Sequence, residues 1–263
     1  DMNPSHRQKR SPKKSIRATQ HRSPSNLSRE NRALHMVREC NQALLRATSE
    51  SGLVKCICRI MVERGGYRMA WVGIAEEKEG VKTIRPIAHA GFEGGPIEGP
   101  GLTWDEGDRG RGPTATAIRT GKPGFILNIL KDPGFAPWRE DARKRGYASS
   151  IAFPLANKER VFGALTLYAA ESQAFNGTEI ALLTDLAGDL AFGLAGLRTL
   201  DEHAQLEEEL RRSEAKFRGM IEHSYDLITV LNRDLRRVYA SPSLERILGF
   251  KPGERKGLIH GAQ

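Results

Sequence analysis

Few residues in this chain have types and spacing that could do chemistry. Gly110-Arg-Gly-Pro-Thr-Ala115 matches the spacing of a dinucleotide loop, in which glycines let the backbone close on a pyrophosphate at a helix N-terminus. No strand pattern precedes it and Pro113 fills a variable position, so it reads as a plain helix start. Gly112 is the cap, Pro113 takes the first position and Gly121 follows the end. That N-terminus would still turn free amides, with the Thr114 and Thr116 hydroxyls, toward an anion. Cys40, Cys56 and Cys58 form no CxxC pair, which excludes a zinc–thiolate site and a disulfide scaffold and leaves thiols expected to be buried and reduced. Cys56 and Cys58 lie two apart on a helical pattern, face different directions and cannot act as a pair. His203-Ala204 and His223-Ser224 lack the acidic neighbour and proline of a phosphoacceptor box, and no glycine-rich ATP loop accompanies them. His89, alone in the strand-like region, reads as a partly buried polar residue rather than an axial ligand. No catalytic residue and no metal-ligand set is assigned.

The elements that would position these groups follow from periodicity. Leu34, Val37, Cys40, Leu44 and Leu45 recur at helical spacing, and after Ser51 as cap Leu53, Val54, Ile57, Ile60 and Met61 do so again, until Gly65-Gly66. The period then becomes strand-like over Tyr67–Ala75, Thr83–Ala90, Gly124–Ile129, Ser149–Ala156 and Arg160–Ala169, the last two joined at Asn157-Lys158-Glu159. Between the second and third strands, residues 91–112 hold eight glycines, a composition suited to a binding loop. Asn176 with Glu179 three positions on has the form of a capping box. Ile180, Leu183, Leu186, Leu190, Leu194, Leu197 and Leu200 then make a coiled-coil-like seam, with Gly188, Gly193, Gly196 and Gly219 expected to weaken the helix. Past Ser224 come two short strands around Asn232-Arg233-Asp234 and a helix from Pro242 to Leu248, too little to close a core.

Of the net charge of +9, seven units sit in residues 1–32, where nine Lys/Arg face two acids. With four apolar side chains and no aromatic, that stretch reads as a disordered basic arm, a solvated leader rather than a nucleic-acid binder. Nowhere do 18 apolar residues run together and the opening has no signal-peptide core, so the expected location is the cytoplasm.

Three segments in order, Gly110-Arg-Gly-Pro-Thr-Ala-Thr-Ala-Ile-Arg-Thr-Gly-Lys-Pro123, Asp132-Pro-Gly-Phe-Ala-Pro-Trp-Arg139 and Gly146-Tyr-Ala-Ser-Ser-Ile-Ala-Phe-Pro-Leu155, closely resemble the GAF domains of bacterial and archaeal sensor kinases. The resemblance spans residues 34–199 and implies an α+β fold, an antiparallel sheet flanked by helices with a long exit helix. Ser213-Glu-Ala-Lys-Phe-Arg218 and Val238-Tyr-Ala-Ser-Pro-Ser-Leu-Glu-Arg-Ile-Leu-Gly-Phe250 resemble the start of a PAS domain, here incomplete. The organisation expected is a basic arm over 1–32, a GAF domain over 33–199, a helical linker over 200–224 and an incomplete PAS domain over 225–263, as in a piece of a longer protein.

The resemblance implies a small-ligand pocket bordered by the Pro113 helix, with Trp71, Trp104, Thr114, Phe125, Trp138, Tyr147, Ser149 and Ser150 as candidate lining; taken singly each reads first as core packing, and only together do they suggest a site. The ligand and any cofactor stay unidentified. Asn157-Lys158 with Phe175 and Glu179 is a degraded form of the cyclic-nucleotide signature, and the cysteines lie outside the region where a bilin would attach. The implied role is sensory input to a histidine kinase, through a homodimer paired along Leu183–Leu200 and an output domain in the same chain; a GAF-fold enzyme or a nucleic-acid-binding regulator are the alternatives.

Overall fold

A computed structural model describes residues 24–91, 101–223, 226 and 228–249. They divide into two compact units, meeting between Gly193 and Leu194.

In the first unit, α1 (Pro24–Arg46) and α2 (Glu50–Glu63) precede strands β1 (Met69–Lys78) and β2 (Val81–Ala90). Helix α3 (Pro113–Thr120), strand β3 (Gly124–Ile126), a 3-10 turn (Pro133–Trp138) and α4 (Arg139–Lys144) follow, then β4 (Ser149–Ala156) and β5 (Val161–Ala169). The five strands form one antiparallel sheet in the order β2-β1-β5-β4-β3. Because side chains alternate across a strand, each sheet face has its own core. Helix α2 lays Leu53, Val54, Ile57 and Met61 on one face, where Val72, Phe153, Leu165 and Leu167 are buried. The other face carries Trp71, Ala152, Ala164 and Tyr168, covered by α3, the loop before it and the 3-10 turn. Ser49 rather than Ser51 caps α2, its Oγ accepting from the Gly52 amide at 3.3 Å.

Helix α5 (Gly177–His223) leaves this unit and runs unbroken for 47 residues, about 70 Å at 1.5 Å per residue, its internal glycines notwithstanding. Leu183, Leu186 and Leu190 are fully buried within the single chain. The expected dimer seam is therefore corrected over its first half: these leucines recur at the helical period because they pack on their own domain. Exposed Asp185 and Asp189 occupy the opposite side. Among the described residues α5 is the one helix long and apolar enough to cross a membrane; it is amphipathic over its first turns, with Leu183, Leu186 and Leu190 buried and Asp185 and Asp189 exposed.

Helix α1 starts at Pro24, inside the stretch assigned to the basic arm. The arm reading counted apolar side chains alone; Arg29 is held by an ion pair to Glu171 at 3.5 Å, one turn before the buried stripe Ala33, Met36 and Cys40 begins. The rest of the arm, residues 1–23, lies outside the described residues, as do 92–100 of the glycine-rich loop and 250–263.

The second unit contains the rest of α5, a two-stranded antiparallel ribbon of β6 (Thr229–Leu231) and β7 (Arg237–Ala240), and α6 (Ser243–Leu248). Asn232 builds the turn by accepting from the Asp234 and Arg236 amides. Val230, Val238 and Tyr239 remain exposed on the ribbon.

Candidate functional site

The α3 face of the sheet encloses a cavity of about 30 Å³. Trp71 from β1 and Tyr168 from β5 form its floor, Phe135 and Trp138 one wall, and the first turn of α3 with Arg109 another. The ring centroids of Phe135 and Trp138 lie 5.4 Å apart at 53°, a tilted packing favoured by the ring quadrupoles. The 3-10 turn bearing them begins at Asp132, whose Oδ1 accepts from the Gly134 amide at 2.8 Å, and the Arg139 guanidinium ties back to the Asp132 carbonyl at 2.8 Å.

Two contacts place α3. The Thr114 and Thr166 hydroxyls meet at 2.9 Å in a buried site, pinning the first turn to β5. Gly124 lies so close to the Pro113 carbonyl that a Cβ there would collide with it. Gly112 provides no capping side chain and Pro113 has no N–H, so the first-turn amides of Thr114 and Ala115, two residues of the cavity lining, have no acceptor within the helix. From the C-terminal turn, one Arg119 nitrogen donates to the carbonyls of Trp104 (3.3 Å), Asp105 (2.6 Å) and Gly110, clamping the loop that carries Arg109.

Of the residues proposed from the sequence, Trp71, Thr114 and Trp138 line the cavity. Trp104 joins the same apolar cluster from the loop, but its indole N–H donates to the Glu76 carbonyl at 3.2 Å and the Lys82 ammonium sits 4.6 Å above its ring. Tyr147 stands behind the floor, stacked on Tyr168 at 4.6 Å and donating to the Met69 Sδ at 3.0 Å. Both serines have their hydroxyls engaged, Ser149 with the Glu171 carbonyl (2.7 Å) and Ser150 with the Leu167 carbonyl (3.0 Å), so neither offers one to a ligand. Phe125 is a correction. It is paired with Ile151 and therefore lies on the α2 face, where it is 58% exposed; Ile126 is the residue that faces the cavity side. Sequence reasoning did not single out Tyr168, Phe135, Arg109 or Arg119. A legible signal existed only for Tyr168, which alternates with Leu165 and Leu167 along β5.

Tyr168 has its phenol pushed well above the ordinary range, by burial first and by Tyr147 second. Ser150 and Trp71 act the other way, so the Trp71 indole lies close enough to influence the phenol. Its N–H nevertheless makes no hydrogen bond in the described structure.

Other groups serve the fold. Asn157 Oδ1 accepts from the Glu159 and Arg160 amides, which explains Asn157-Lys158 as a hairpin turn. Asn176 accepts from the Glu179 amide at 2.8 Å, capping α5. The thiols of Cys40 and Cys58 are driven up to about 12, chiefly by burial and then by neighbouring cysteines, which leaves them poor nucleophiles. His89, opposite Trp71 in the sheet register, is exposed. Among the described residues no cluster of His, Cys, Asp and Glu could hold a metal.

The sheet order, the covered cavity and the exit helix have a counterpart in sequence, since the profile of the GAF domain matches residues 47–195. The chain belongs to the GAF domain family. A curated relative is the methyl sulfide methyltransferase-associated sensor of Methanosarcina acetivorans, 31% identical over 120 residues. The match covers 45% of this chain and only 11% of that protein. Two solved structures resemble this GAF chain in fold. One is the GAF domain of a phosphoenolpyruvate-protein phosphotransferase from Coxiella burnetii, with a TM-score of 0.54 and 18% identity, covering 66% of this chain and 98% of the other. The other is a free methionine-R-sulfoxide reductase from Neisseria meningitidis, with a TM-score of 0.52 and 16% identity, covering 64% and 91%.

Proposed function

We propose that this chain is the sensory input region of a cytoplasmic signal-transduction protein, with the α3-face cavity as its ligand pocket and α5 as its output. The observation that carries the reading is the aromatic cavity, roofed by a loop and a helix start rather than by rigid sheet. The likeness to a sensor-named relative supports it. On this reading residues 33–199 are the GAF unit, residues 200–224 the linker, and the ribbon and helix after 225 the start of a PAS domain leading to a kinase output. Occupancy of the pocket shifts the packing of α3 and the loop, and α5 passes the bias on.

The chain acts as a homodimer paired through α5 beyond the domain. Phe192, Leu206, Leu210, Phe217 and Met220 are all exposed and fall on one stripe of alternating three- and four-residue steps, through Gly196, Thr199, His203 and Ser213. This stripe replaces the buried leucines as the seam.

A ligand-free test is available. Ala115 is buried and lines the cavity, so Ala115→Leu fills it as a ligand would. The expected result is altered amide exchange in α5 C-terminal to Gly193, absent from the control Phe125→Leu. Unchanged exchange there in the folded variant would overturn the reading.

A further inference from the structure

Trp71 is 2% exposed and bears an indole N–H without a partner in the described structure, at the floor of the cavity. The indole's six-membered edge, Cζ3 and Cη2, abuts Gly73, so the N–H is on the other edge, on the Tyr168 side. A buried donor left without an acceptor is costly, and a bound acceptor removes that cost. The opposite wall has the same demand. The α3 start has no side-chain cap, Thr114 and Ala115 of its first turn line the same space, and a helix N-terminus carries about half a positive charge. Among the described lining residues Arg109 is the charged one, and none is Asp or Glu. The walls therefore hold donors and positive potential, with aromatic faces between.

We propose that the pocket takes a small monocarboxylate, its oxygens received by the Trp71 indole N–H and the α3 amides and its short apolar body held by Phe135 and Trp138; this rests on the ligand-pocket reading above. Size points the same way: at about 30 Å³ the cavity is far below the roughly 300–1,000 Å³ of pockets for drug-sized ligands and suits a ligand of a few atoms. A cation is disfavoured despite the aromatic rings, because no carboxylate stands among the described lining residues and an uncapped helix start opposes it.

The experiment follows the indole signals of the 263-residue chain by nitrogen-edited NMR, with Trp71 assigned by Trp71→Phe. Sodium formate, acetate and propionate are titrated against sodium chloride at equal ionic strength. The expected result is a saturable shift of the Trp71 signal at about millimolar carboxylate, as befits a ligand of a few atoms. Read on the other two indoles, Trp71→Phe should weaken acetate binding about tenfold or more, the effect of losing one charge-assisted hydrogen bond. Arg109→Gln, an exposed loop substitution outside the core, should weaken it as well, and Phe125→Ser on the other sheet face should not. No shift beyond chloride overturns the proposal. A saturable response to tetramethylammonium but not to acetate also overturns it while leaving the pocket reading standing, and that reading is judged separately by Ala115→Leu.

Discussion

The Tyr67 hydroxyl donates to a carboxylate oxygen of Glu179 at 2.6 Å, joining the turn between α2 and β1 to the first turn of α5. The Tyr67 ring stacks on Phe175 at 5.9 Å, and its phenol is held well above its ordinary pKa by burial and then by Glu179. The capping box read from Asn176 and Glu179 is thus half used. Asn176 caps the helix, but the Glu179 side chain turns to Tyr67, so this pair sets where α5 starts relative to the sheet.

Tyr67→Phe should cost about 1–3 kcal/mol in urea denaturation, because it strips a partly buried carboxylate of its donor. Glu179→Gln keeps an acceptor and should cost less. Equal losses in both would mean that ring packing, not the hydrogen bond, holds the junction.

Stability should fall at alkaline pH. The folded chain holds the thiol protons of Cys40 and Cys58 to about 12, against an ordinary 9.0. A proton bound more tightly in the folded state stabilises it fully below the unfolded value, and that contribution is lost as pH rises from 9 toward 12, by up to about 1.4 kcal/mol per pH unit for each thiol. The raised Tyr67 and Tyr168 phenols add to the decline above pH 10. Urea midpoints measured between pH 8 and 11 check this, and Cys58→Ala should flatten the slope.

The two leucine sets on α5 should separate in their effects. Leu190→Ala empties a fully buried position and should cost about 2–5 kcal/mol without changing association. Leu206→Glu with Leu210→Glu alters exposed positions and should leave the melting of the sheet domain unchanged while abolishing any dimer seen in sedimentation. A dimer that survives the double change would place the interface elsewhere.

Removing the Arg119 clamp should loosen the loop before α3. Arg119→Met keeps the aliphatic stem and deletes the bonds to the Trp104, Asp105 and Gly110 carbonyls. Amide exchange over residues 101–112 should speed up about tenfold or more, the equivalent of one or two hydrogen bonds. Exchange in β4 and β5 should not change.

Much of the fold was legible because the long strands alternate or run apolar between turn signals. Ser149–Ala156 is found where periodicity puts it, and β5 starts one residue later, at Val161. Phe125 shows the limit. In Phe-Ile-Leu-Asn-Ile-Leu130 apolar residues stand at both parities, so nothing in the pattern says which face Phe125 takes, and a one-residue slip reverses it. The α5 leucines show another. A stripe packed on its own domain and one packed on a partner differ by only about 20° of drift per heptad, too little to separate over three turns. At the site, Trp71 and Trp138 could be nominated by type, but Arg109 and Phe135 reach the cavity through tertiary contacts that no local pattern encodes.

All three tryptophans of the chain belong to one face of one sheet: Trp71 and Trp138 line the cavity and Trp104 packs on the same cluster. Neither α5 nor the second unit carries any indole. The intrinsic emission of this protein is therefore a local gauge rather than an average over the molecule. Light excited at the red edge of protein absorbance reports on the surroundings of that single apolar nest, with no dye attached and no residue replaced.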